Sequence, residues 1–288
     1  VSAFCNAGMD IIGEDSLCGY AVHPMINFVT IMLIVLGGIG YIVWWDVIRV
    51  SKNIPKKKLK AFSGLTLHSK IALWTTGILI FGGMLLILLF EYRNPETIGN
   101  YNLFDKMQMS LFQSVTTRTA GFITIPQDKL TNPSALISIL LMFLGGSPVG
   151  TAGGVKTVTI AVLLCSAYAT ITNRDEVELF HRTISQEAVR KSVAVVATSF
   201  CICLTSTLLL SAVCNADMLD IVYETVSATA TVGLTRNLTS TLNVWGKIII
   251  ITTMYLGRVG PISLLIAFTA SNKKTNIIMS PTEEISVG

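Results

Sequence analysis

Three short segments have the residue types to strip water from a monovalent cation: Asn6-Ala7-Gly8, Thr119-Ala120-Gly121 and Thr231-Val232-Gly233. Each is small, ends on glycine and carries no charge. Aligned on glycine they are 113 positions apart (8 to 121) and 112 positions apart (121 to 233). Glycine permits backbone angles that a side chain forbids and lets carbonyl oxygens come close to an ion. A ring of such carbonyls can replace the hydration shell of potassium, and Thr231-Val232-Gly233 spells the core of a potassium-channel filter tripeptide. Small residues that merely ease helix packing would explain one segment, but not three at matched intervals.

Each segment follows a polar stretch too short to cross a bilayer (105–117 and 218–228 for the second and third) and precedes a long apolar one. The unit therefore reads crossing helix, short re-entrant helix, glycine loop, crossing helix. Non-helical backbone at membrane depth is tolerated only when buried in protein or lining a cavity. The C-terminal ends of the re-entrant helices would turn their partial negative charge toward a cation there.

Composition supports a membrane setting. The chain is 51% hydrophobic and 13% charged, against about a quarter charged in soluble domains. Apolar runs at 22–45, 71–90, 134–169, 193–213 and 248–270 predict about five crossings. Basic residues cluster after the first run (Arg49 to Lys60), before the fourth (Arg174 to Lys191) and after the last (Lys273, Lys274), which places those loops in the cytoplasm. The net charge of +4 comes from these loops and gives no reason to expect a nucleic-acid partner. Six scattered cysteines and three histidines predict neither a disulfide framework nor a metal cluster, and no cofactor beyond the transported ion. The apolar runs lack H-E-x-x-H and G-x-S-x-G motifs, which leaves a membrane-embedded enzyme as a remote alternative. Val1–Asp10 has neither the basic start nor the apolar stretch of a signal peptide.

The third crossing is interrupted at Gly145-Gly146-Ser147-Pro148-Val149-Gly150-Thr151-Ala152-Gly153-Gly154. Five glycines and a proline cannot sustain a helix, so a loop or hinge must lie there against protein or a cavity. Lys156 lacks the preceding glycine of a phosphate-binding loop, which removes that reading. Arg258 lies inside the last apolar run, where a basic residue costs about 2.5–3.5 kcal/mol. Carbonyls of the glycine break or pore water would offset that cost. Arg118, at the end of a re-entrant helix, is expected to brace the loop after it. Lys156 and Asp46 are expected at the membrane interface.

Ser114-Val115-Thr116-Thr117-Arg118-Thr119-Ala120-Gly121-Phe122, the glycine break continuing through Lys156-Thr157, and Leu256-Gly257-Arg258-Val259-Gly260-Pro261 together resemble signatures of the Ktr/Trk/HKT potassium transporters. The closing 281–288 segment is similar to the tail of the KtrB-type subunit of that superfamily. The resemblance implies an all-α membrane fold of repeated helix–pore loop–helix units, four to a pore. Here two complete units and the second half of another are expected, so the chain reads as N-terminally incomplete. The expected organisation is a filter loop and last helix (1–50), a linker (51–65), a third repeat (66–172), a linker (173–191), a fourth repeat (192–271) and a cytoplasmic tail (272–288). The resemblance further implies potassium uptake across the bacterial plasma membrane, with a sodium or mixed-cation transporter as the alternative. By the same resemblance Asn6–Gly8, Thr119–Gly121 and Thr231–Gly233 bind the cation. Gly145, Gly146, Ser147, Pro148, Gly150, Gly153 and Gly154 form a gate beneath the filter, with Arg258 as a barrier or latch. The partners implied are membrane lipid, a second copy in a homodimer and a KtrA-type cytoplasmic ring of nucleotide-binding subunits.

Overall fold

The computed structural model describes residues 1–13, 16–52, 64–174, 176–180 and 182–260. The expected tail at 272–288, most of the linker at 51–65 and the last ten residues of the 248–270 crossing lie outside them.

The helices are α1 (Ser2–Cys5), α2 (Pro24–Gly38), α3 (Tyr41–Ser51), α4 (Leu67–Glu91), α5 (Leu103–Thr116), α6 (Asn132–Phe143), α7 (Thr157–Ile171), α8 (Gln186–Val213), α9 (Met218–Thr229), α10 (Leu238–Thr241) and α11 (Val244–Val259). Two of the described helices, α4 and α8, are long and apolar enough to cross a membrane unaided. At 25 residues α4 is about 37 Å long, ample for a hydrocarbon core of about 30 Å. Thr66 starts it by accepting a hydrogen bond from the Ser69 amide, and Ser185 does the same for α8 from Ala188. The helices α5 and α9, at 14 and 12 residues, reach only about 21 and 18 Å. Their C-terminal halves are buried within the bundle. The third crossing divides into α6 and α7 around the glycine break, also as expected.

The first crossing differs from expectation. The run 22–45 is not one helix, because α2 and α3 meet at a 98° bend. Gly40 sits at φ 90, ψ 144 and starts α3 in a direction that α2 cannot continue. The Trp44 indole donates to the Leu36 carbonyl at 2.9 Å across the corner. A hairpin of two-residue strands, Glu178–Leu179 with Arg182–Thr183, breaks the otherwise helical chain within the 173–191 linker.

Polarity is distributed as a bilayer demands. Along α4 the exposed positions include Trp74, Ile78, Phe81, Leu85 and Leu89, an apolar stripe at helical spacing. The interior holds Ser110, Gln113, Ser114, Thr116, Thr117 and Thr119, all fully buried. Two buried carboxylates staple successive helices. Glu91 accepts from the Thr131 amide and hydroxyl at 2.8 and 2.7 Å, from Asn94 at 2.7 Å and from Thr97 at 2.6 Å. Asp46 holds the start of α4 in the same way, accepting from the Thr66 amide and hydroxyl at 2.7 and 2.9 Å while pairing with Arg49. Asp46 is thus a buried clamp rather than an interface residue. Glu91→Ala leaves four donors without their acceptor, so the melting temperature in detergent is expected to fall by an amount equivalent to about 3 kcal/mol. An unchanged melting temperature would mean that water replaces the carboxylate.

Candidate functional site

The three glycine segments share one backbone conformation. Asn6, Thr119 and Thr231 have φ of 49, 70 and 55, and Gly8, Gly121 and Gly233 have φ of 63, 84 and 91. The residue between each pair keeps an ordinary negative φ. Left-handed geometry at alternate positions turns successive carbonyls toward one side, where an extended strand would alternate them. For the β-branched Thr119 and Thr231 it is also strained, and such strain concentrates where backbone shape has a task. The helix ends impose the turn. Asn6 and Ala7 donate back to Ala3 and Ser2, and Thr231 and Val232 donate to Ala228 and Ser227, the paired bonds that close a helix with a left-handed residue. In the middle segment both Ala120 and Gly121 donate to the Thr116 carbonyl.

The segments also meet. A methyl group added at Gly8 would lie 2.7 Å from the Ala120 oxygen, and one at Gly121 would lie 2.5 Å from the Val232 oxygen. Of the residues between the left-handed pairs, Ala120 and Val232 are buried, each in a hydrophobic cluster, whereas Ala7 is exposed. Behind the segments the loops are tied as well. The Leu17 amide donates to Ile123 at 2.9 Å, and Arg236 bonds the Gln127 carbonyl at 3.2 Å.

The glycine break lies directly against these segments. The Gly153 amide donates to the Thr119 hydroxyl at 3.1 Å. The Thr231 hydroxyl and Ala230 carbonyl would sit 2.0 and 2.4 Å from a methyl at Gly153. The opposite side of the loop is stitched to the α2–α3 bend: Ser147 and Thr151 donate to the Gly38 and Gly37 carbonyls at 3.0 and 3.3 Å. A methyl at Gly40 would meet the Pro148 oxygen at 2.5 Å, and one at Gly150 would meet Gly38 at 2.7 Å. Gly145 and Gly146 pack on Gly153 and Ala152, and Gly154 takes φ 66 to turn the chain back. Thus Gly145–Gly154 folds as a loop packed against the second and third segments and the α2–α3 bend.

Three cations reach this loop. The Arg258 Nη1 donates to the Thr151 carbonyl at 3.3 Å, a carbonyl of the glycine break as the sequence reading expected. Arg118 is 7% exposed and donates to Thr76 at 3.3 Å and to the Gly145 carbonyl at 3.5 Å. It therefore holds the start of the loop rather than the filter turn it was expected to brace. Lys156 turns inward to the Ala152 carbonyl at 2.6 Å instead of extending to an interface. Sequence reading missed Gly37, Gly38 and Gly40, although their spacing was a signal. It also passed over Gly257, where a methyl would lie 2.1 Å from the Thr229 carbonyl and force α11 off the end of α9.

A family model described as TrkH, cation transport protein, matches residues 1–277. The chain belongs to this family. The chain is 37% identical over its whole length to the Ktr system potassium uptake protein B of Bacillus subtilis and 35% identical to the potassium/sodium uptake protein NtpJ of Enterococcus hirae. It covers 62% of each, so the chain spans about three fifths of the length of these relatives. The crystal structure of the potassium transporter TrkH from Vibrio parahaemolyticus superposes with a TM-score of 0.75 at 18% identity, over 94% of this chain and 57% of that one. The fold is that of an all-α, multi-pass membrane transporter.

Proposed function

We propose that this chain forms most of a pore that takes up potassium across a bacterial plasma membrane, with Asn6–Gly8, Thr119–Gly121 and Thr231–Gly233 binding the ion. The observation that carries this reading is the repeated left-handed pair in three segments that approach one another glycine to carbonyl, with the glycine-rich loop packed against two of them. In water a cation loses nothing by leaving such a site; within the bundle, fixed carbonyls substitute for its hydration shell. The loop of Gly145, Gly146, Ser147, Pro148, Gly150, Gly153 and Gly154 is the gate, and Arg258 latches it. Sodium or mixed-cation transport is the second reading, favoured by the potassium/sodium relative. Homodimer formation and a KtrA-type nucleotide-binding ring on the cytoplasmic side belong to the same proposal; the "system" in the relatives' names supports partner subunits.

Growth rescue of a potassium-uptake-deficient bacterium at low potassium tests the substrate, using this chain alone and the chain extended by the segment its relatives carry. Rescue by the extended chain is the expected result. Sodium influx without potassium rescue would select the second reading. Arg258→Ala is expected to raise resting flux, since a positive charge about 4 Å from a passing cation opposes it by roughly 4 kcal/mol at intermediate dielectric. Unchanged flux and gating in that variant would remove Arg258 from the mechanism.

A further inference from the structure

The third filter segment is backed by an acid that the second lacks. Nine positions before Gly121 stands Phe112, wholly buried in a hydrophobic cluster. Nine positions before Gly233 stands Glu224, in the middle of α9 and 4% exposed. Five positions before Gly121, the Thr116 hydroxyl ties the segment by donating to the Phe122 carbonyl at 2.6 Å. The corresponding residue before Gly233 is Ala228, which has no hydroxyl. Glu224 supplies the tie instead. It accepts from the Thr235 hydroxyl at 2.7 Å, two residues beyond Gly233, and from the Thr239 hydroxyl.

A carboxylate is more than a tie requires. A buried charge demands a partner, yet among the described residues no basic side chain forms an ion pair with Glu224. The nearest in sequence, Arg236, is engaged with Asp220 at 2.6 Å. Its mid-helix place lies beyond the first turn, so the macrodipole of α9 offers little. Thr235 and Thr239 stabilise the charge but do not neutralise it. Through Thr235 the carboxylate is tied two residues beyond the third filter segment, where a mobile cation would do so.

We propose that Glu224 is a specificity-determining residue of the cation path, whose negative charge raises the affinity of the third filter segment for a monovalent cation. This rests on the filter reading above. The test is uptake into liposomes by the purified full-length protein over a range of potassium concentrations, with sodium as competitor. Glu224→Gln, which retains an acceptor for the threonines, is expected to raise the half-saturating potassium concentration roughly tenfold and to narrow the preference over sodium. Glu224→Asp is expected to restore most of both. Thr235→Val removes one of the two threonine donors and keeps the charge, so its half-saturating concentration should rise far less than that of Glu224→Gln. If Glu224→Gln matches the wild type while Thr235→Val is impaired, the residue is a brace and the proposal is overturned. The ratio between variants judges Glu224, whereas cation uptake by the unaltered protein judges the filter reading.

Discussion

Gly153→Ala is expected to raise the resting cation flux of the full-length protein, because the gate loop cannot seat with a side chain at that position. The added methyl would lie 2.0 Å from the Thr231 hydroxyl and 2.4 Å from the Ala230 carbonyl. The first contact could rotate away, but the second is backbone at the end of α9 and has little room to yield. Lifting the loop also breaks the bond between the Gly153 amide and Thr119. Loss of one such bond is worth up to about 1.5 kcal/mol, so opening should become roughly tenfold more populated even before the clash is counted. Gly82→Ala is the control, since a methyl there meets nothing within 4 Å. Flux can be read as rubidium uptake in membranes matched for protein amount. A variant that folds normally yet conducts less would mean that the displaced loop blocks the path rather than clears it, and the gate assignment would fall.

The contact between Gly153 and Thr119 also has a mechanistic consequence. If the proposed roles hold, gate and filter share a hydrogen bond, so movement of one must disturb the other. Arg118 reinforces the link from the same re-entrant unit, reaching Gly145 at the opposite end of the loop. On the proposed reading, opening requires releasing both ends of the loop from the second segment and Arg258 from its middle.

How far the sequence revealed this depended on the kind of signal involved. The three left-handed turns were legible because glycine at a fixed interval is a local demand for such a turn, repeated three times. The loop was legible because five glycines and a proline exclude a helix wherever they fall. The bend at Gly40 was hidden by its surroundings: an uncharged run at 22–45 reads as one crossing, and Gly37-Gly38-Ile39-Gly40 looks like tolerance for close packing. Its purpose appears only when the Gly38 carbonyl is seen accepting from Ser147, more than a hundred residues away. Arg118 was misread for a related reason. Helix-end logic points a cation at its own carbonyls, whereas packing directs this side chain into a neighbouring loop. Glu224 left no signal, since one acid in a moderately polar stretch looks solvated until its burial is known.

Gly121→Ala is expected to abolish growth rescue at low potassium, and comparison with Gly233→Ala separates the two reasons for glycine. Both positions hold a left-handed backbone, at φ 84 and φ 91, so alanine at either incurs a similar conformational cost of about 1–2 kcal/mol. Only Gly121 is also enclosed, with a methyl falling 2.5 Å from the Val232 oxygen and 3.1 Å from the Gly8 Cα. At Gly233 a methyl meets nothing within 4 Å among the described residues. Relief of the Gly121 clash must push the Val232 carbonyl aside, and in a filter that carbonyl is the ligand. Gly121→Ala should therefore lose both uptake and preference for potassium, while Gly233→Ala should lose affinity first and retain some rescue at higher potassium. Equal and complete loss at both would show that backbone conformation alone sets the filter. Normal rescue by a stably inserted Gly121→Ala protein would mean that these carbonyls do not contact the ion, and the path would have to lie elsewhere in the bundle.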